Sequence, residues 1–79
     1  MNTIHELDAA ALTCDQPQHA LVPGDVGTAV LVHGNGVAFE VQFVGYDDHA
    51  VALLTLERSQ GRPLGTRDIP HARELQAAA

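Results

Sequence analysis

"VPGDVGTAV" (residues 22–30) places a proline, two glycines and an aspartate directly before a run of small and branched apolar residues. Two architectures use such a stretch: a glycine loop that cradles a phosphate, or a corner at which a strand begins. A Walker-type loop needs convergent glycines followed by Lys and Ser/Thr, and a dinucleotide fingerprint places its glycines between a strand and a helix. Here Thr28 is present, the chain contains no lysine at all, and strand-like sequence follows. The stretch reads as a corner. Gly24 supplies the turn, Asp25 caps exposed amides, and Gly27 permits close backbone approach.

From the corner outward, "VGTAVLV" (26–32) reads as a strand and "HGNG" (33–36) as a hairpin turn, since Asn and Gly tolerate the left-handed backbone such turns need. "VAFEVQF" (37–43) alternates, with Val37, Phe39, Val41 and Phe43 on one face and Ala38, Glu40 and Gln42 on the other. "GYDDH" (45–49) turns the chain again. "AVALLTL" (50–56) is apolar throughout and is expected to be covered on both faces or to lie centrally in the sheet.

Upstream, Ala10 to Thr13 is read as a first strand, and "DQPQHALVPGD" (15–25) as a long irregular loop interrupted by Pro17 and Pro23. Downstream, residues 57–60 form a single-turn helix ahead of a brief closing strand limited by Pro63. Residues 65–79 form a tail, with a short helix from Asp68 through Ala72, Leu75 and Ala78, or a frayed end. Several short strands must protect their edges, and closure does this most completely. The expected fold is all-β: a five-stranded SH3-like barrel over residues 1–64 and a C-terminal tail over residues 65–79.

Seventy-nine residues form one domain near the lower limit of independent folding. With only Phe39, Phe43 and Tyr46 as aromatics, the core must be built from Val, Leu and Ala. The formal charge is −6, from ten acids against four arginines. Such a balance disfavours nucleic acid and anionic membranes, which recruit clustered Lys and Arg. Cys14 is the single cysteine, so no internal disulfide forms, and a reducing cytoplasm is the expected location.

The stretches "ELDAAALTCDQPQHALVPGDVGTAVLV", "GVAFEVQFV" and "VALLTL" resemble a family of short, mostly bacterial proteins catalogued as a domain of unknown function. Its pattern is carried here by Glu6, Leu7, Asp8, Asp15, Pro17, Gly24, Asp25, Gly27, Thr28, Glu40, Phe43 and residues 51–56, over about residues 5 to 64. Ala29 departs from a usual valine and Gln42 from a usual glutamate, and Gly61 stands where a core leucine is usual. More distantly, the chain is similar to the small barrels of ribosomal and transcription-elongation proteins and of nitrile hydratase beta chains. The resemblance implies a small barrel and no established activity.

The remaining chemistry-bearing residues give no catalytic, metal or cofactor assignment. His5, His19, His33, His49 and His71 have no ligand-pair spacing, and a metal site from His33, Asp47 and His49 is the weaker reading beside surface histidines in turns. Glu40 lies on an outer face with no enclosed pocket to raise its pKa. Glu6 and Asp8 flank an edge, and Cys14 has only His19 nearby as a base. Phe39 and Phe43 share the core parity of Val41, leaving Tyr46 as the exposed aromatic.

The function expected is a non-catalytic protein-binding module, with His19, Leu21, Val22, Tyr46 and Asp47 as the contact surface and Gly24, Asp25 and Gly27 as its structural turn. Self-association through Ile69 and Leu75 or through an open strand edge is a further expectation. The alternatives are a nucleic-acid-associated barrel binding through Arg58, Arg62, Arg67 and Arg73, and an accessory or neutralising partner of a neighbour-encoded protein. No membrane association is expected.

Overall fold

A computed structural model of the chain describes residues 3–76. Five strands appear in chain order: β1 (Ala9–Leu12), β2 (Val26–His33), β3 (Ala38–Val44), β4 (Ala50–Glu57) and β5 (Gly61–Pro63). They form one antiparallel sheet in the order β4-β3-β2-β1-β5. Single 3-10 turns at Pro17–His19 and Arg58–Gln60 interrupt the first long loop and join β4 to β5.

The expected barrel closure is absent. β4 and β5 are the two ends of the sheet order, and no ladder joins them. The reason lies in β5. It has three residues, it pairs with β1 through Ala10↔Pro63, Ala11↔Arg62 and Leu12↔Gly61, and Pro63 has no N–H to offer a second neighbour. The turn ahead of it is fixed by a capping box, in which the Glu57 N–H donates to Gln60 Oε1 at 2.8 Å. Thr13 pins that turn to the end of β1, its hydroxyl donating to Ser59 O at 2.6 Å. The chain is thereby steered onto β1 and away from β4.

The core lies on one side of the sheet. Ile4, Ala10, Leu12, Leu21, Ala29, Phe39, Val41, Phe43 and Leu56 form its buried cluster, and Leu56 and Val41 are the largest fully buried side chains. Period-two alternation places Phe39, Val41 and Phe43 inward on β3, opposite Leu56, Leu54 and Ala52 of β4. Val37 does not join them: it belongs to the turn after Gly36 (φ +91°) and is exposed.

β4 is an edge strand, contrary to the expectation of a central or doubly covered one. No strand among the described residues pairs with its outer edge, and Leu53 is 60% exposed. Two glycines make the packing possible. A Cβ on Gly27 would lie 2.6 Å from Val41 Cγ1 and 2.7 Å from the Gln42 carbonyl oxygen, so only glycine lets β2 lie this close to β3. Gly61, where the resemblance suggested a missing leucine, is buried beneath the Phe39 ring, whose Cε2 and Cζ would both stand 3.1 Å from an added Cβ. The phenyl ring fills the space a leucine would need. No helix among the described residues is long and apolar enough to cross a membrane.

Candidate functional site

The corner at 22–27 is closed by the tail. Gly24 adopts φ +94°, and its N–H donates to Leu12 O at 2.8 Å, which folds the loop back on β1. Asp25 then accepts the Val22 N–H on Oδ2 at 2.8 Å. Arg73, 48 residues later, places its guanidinium across the same carboxylate, with Nε donating to Oδ1 at 2.9 Å and an η nitrogen donating to Oδ2. That η nitrogen also donates to Ala20 O at 2.9 Å. Burial opposes ionisation of Asp25, but the hydrogen bonds from Arg73 and Val22 and the Arg73 charge outweigh it and hold the carboxyl below its ordinary range.

A second clasp lies nearer the sheet. The Arg62 guanidinium on β5 makes a two-pronged contact with Asp68, at 3.0 Å to Oδ2 and 2.8 Å to Oδ1. Asp68 also accepts the Gly65 N–H at 2.6 Å, which turns the chain after β5. The Arg62 and Gly65 hydrogen bonds bring the Asp68 pKa down to about 2. These clasps account for the form of the tail. Its described part is an irregular strap with a turn at Thr66 and Arg67 and no helical residue between Asp68 and Gln76; the expected continuation to Ala78 lies outside the described residues.

Strap and sheet enclose a cleft of about 680 Å³. Val26, Val44, Tyr46, Leu64, Ile69 and Leu75 give it apolar walls, and all six are exposed, Tyr46 completely. Asp25, Arg62, Asp68 and Arg73 also line it, each already engaged in a clasp.

The residues expected at a contact surface divide here. Tyr46 and Leu21 both line the cleft, but Leu21 is a core residue, buried where its backbone bridges to Gln16, and presents little surface. His19 is half-buried in the 3-10 turn at Pro17–His19, and Val22 is exposed beside Pro23. Asp47 turns toward His49, accepting its N–H at 3.1 Å and meeting its Nδ1 at 3.0 Å. Leu64, Ile69, Leu75 and the two clasps supply the wall that the expected contact set omits. Ile69 and Leu75 were legible as the tail's apolar anchors. The pairing of Asp25 with Arg73 has no local sequence signal.

Elsewhere, His33 and His49 lie at opposite ends of the sheet, beside Ala38 and Val44 of β3 respectively, so they cannot share an ion. Among the described residues no group of three His, Cys, Asp or Glu could hold a metal. His33 instead meets Glu40 Oε2 at 2.8 Å, and Thr55 donates its hydroxyl to the same oxygen at 2.7 Å. These hydrogen bonds hold the Glu40 carboxyl below its ordinary range. Of the four arginines, Arg62 and Arg73 each pair with an aspartate.

The family model described as "Domain of unknown function (DUF4926)" matches residues 6–63. That span carries the sheet and the corner, and the strap from Leu64 onward lies beyond it. No curated protein and no solved structure matches the chain. With well over half of its length matched, the chain belongs to the DUF4926 family.

Proposed function

We propose that this domain is a non-catalytic protein-binding module whose contact face is the cleft between the sheet and the strap. The observation that carries this reading is the run of exposed apolar side chains along that cleft: Tyr46, Val44 and Val26 on the sheet side, Leu64, Ile69 and Leu75 on the strap side. Contiguous exposed apolar surface of this kind marks interaction sites. The net charge of −6 suits a basic partner protein that presents an apolar row to the cleft.

Binding fits the polar groups of the cleft better than acid–base catalysis does. A general acid or base works best with a pKa near the operating pH. Asp25 and Asp68 are both shifted away from it, downward, by their arginine partners. A nucleic-acid role through the arginines is weakened because two of the four already neutralise carboxylates.

The test is capture of a partner by the tagged full chain, repeated with Tyr46→Ala combined with Ile69→Ser. The reading predicts a protein retained at about 0.5 M salt, as apolar contacts require, and lost with the double variant. Nucleic acid that washes away with salt, or a protein that the double variant binds equally well, contradicts it.

A further inference from the structure

We infer that the corner at Asp25 is a receptor for an arginine side chain of the partner protein, and that Arg73 of the strap is the resident ligand which that arginine displaces. The inference rests on the cleft being the contact face, and it names the chemistry that enters there.

The receptor half is held by the sheet and its loop, independently of the strap. Asp25 accepts the Val22 N–H on Oδ2 at 2.8 Å, donates its own N–H to Val22 O at 3.1 Å, and accepts the Leu12 N–H on its carbonyl at 2.8 Å. Ala20 is set by the 3-10 turn, its N–H donating to Pro17 O at 3.2 Å. Three acceptors therefore stand in fixed positions: both Asp25 carboxylate oxygens and the Ala20 carbonyl, all met by one guanidinium.

The ligand half has no such support. Among the described residues, the hydrogen bonds of residues 69–76 all come from the Arg73 side chain, and every one of those residues is exposed. The segment sits on the domain as an extended peptide with a single arginine anchor. The Arg62–Asp68 clasp lies ahead of it and spans only six residues. Release of Arg73 therefore frees the chain from Pro70 onward and leaves Leu64 and Ile69 at the cleft.

Only an arginine replaces Arg73 well. The Asp25 side chain is 17% exposed beneath the guanidinium, so removing Arg73 with nothing in its place strands a largely desolvated carboxylate. A lysine offers a point charge, whereas a guanidinium forks across both oxygens and still reaches the carbonyl. Exchanging one guanidinium for another costs little. The strap has the advantage of its tether, equivalent to a local concentration on the order of millimolar. It leaves Val26, Val44 and Tyr46 exposed, however, and a partner segment that covers them offsets that advantage. The net charge of −6 favours the approach of such a basic segment.

The experiment selects binders from a random-sequence phage peptide library on the folded Arg73→Ala full chain, then titrates them against that chain and the wild type. Selected peptides are expected to carry an arginine beside apolar residues, and to lose about tenfold or more in affinity when it is replaced with lysine. They are expected to bind the wild type about tenfold or more weakly, because Arg73 competes from its tether. Asp25→Asn, added to Arg73→Ala, keeps an oxygen for the Val22 N–H and is expected to abolish the arginine preference. In the wild type, which no substitution disturbs, the Arg73 Nε–H resonance is expected to move to its free position as peptide is added. No binder, equal affinity for wild type and Arg73→Ala, an arginine preference that survives Asp25→Asn, or an unmoved Arg73 resonance at saturation would each overturn the proposal. Peptides that need Tyr46 and show no arginine preference would overturn it too, while leaving the cleft as the contact face.

Discussion

Arg73 reaches back across 48 residues to lay its guanidinium on the Asp25 carboxylate, and in doing so fastens the C-terminal strap to the corner where β2 begins. The same side chain also caps the carbonyl of Ala20, which adopts the left-handed conformation at φ +58°. One arginine therefore holds together the long loop, the corner and the strap, and shapes the cleft between them.

Arg73→Ala is expected to release the strap and leave the sheet intact. Limited proteolysis after Arg67 should accelerate by roughly an order of magnitude, because a segment held by few contacts opens locally without global unfolding. Amide resonances of β1 to β4 should stay in place. Loss of the native sheet spectrum would mean that the strap is part of the folding core.

The clasps set an acid limit. Asp68 is near 2 in the folded chain against 3.8 for an unperturbed carboxyl, and Asp25 is lowered in the same direction. For a depressed carboxyl the unfolded state binds more protons, so the stabilisation is complete above about pH 4 and is lost as pH falls through the folded value. Urea midpoints should therefore decline between about pH 4 and pH 2, and Asp68→Asn should flatten the lower part of that decline. A directly titrated Asp68 near its ordinary value would rule out the Arg62 clasp.

Gly27→Ala should be among the most damaging small substitutions. The added methyl would meet Val41 Cγ1 at 2.6 Å and the immovable Gln42 carbonyl at 2.7 Å. Overpacking of this kind costs about 1–3 kcal/mol. Gly61→Leu, which would restore the residue suggested by the family resemblance, should also destabilise, because the Phe39 ring already occupies that space. Thermal melts of both variants check this, and a stabilised Gly61→Leu would contradict the packing described.

Phe39→Ala should remove the ring that covers Gly61 and meets Leu56 across the ladder, at a cost of about 3–5 kcal/mol. A domain this small has a narrow stability margin, so the variant is expected to be largely unfolded at 37 °C. Chemical denaturation followed by circular dichroism reads the outcome.

The strands were legible because their signals are local. Alternation in Phe39, Val41 and Phe43, glycines around Asn35, and a proline-interrupted loop before Gly24 each report on a few neighbouring residues. Closure is the expectation that fails, and it depends on a distant fact: three residues ending at Pro63 pair with β1 and have nothing left for β4. The apolar run Ala50 to Leu56 suggests a covered strand, but in this chain it forms the edge, since composition does not say which side has a neighbour. The cleft was half visible. Tyr46, Ile69 and Leu75 stand out as apolar residues in polar surroundings, whereas the Arg62–Asp68 and Arg73–Asp25 clasps exist only once the chain has folded.

Photocrosslinking in the native cell tests whether a partner protein binds in the cleft between sheet and strap. Replacing Tyr46 with p-benzoylphenylalanine keeps an aromatic ring at the cleft, and the same residue at Asn35 probes the turn at the opposite end of β3. A defined protein adduct is expected from position 46 and none from position 35. Adducts at position 35 with none at 46, or nucleic-acid adducts at either, would contradict it.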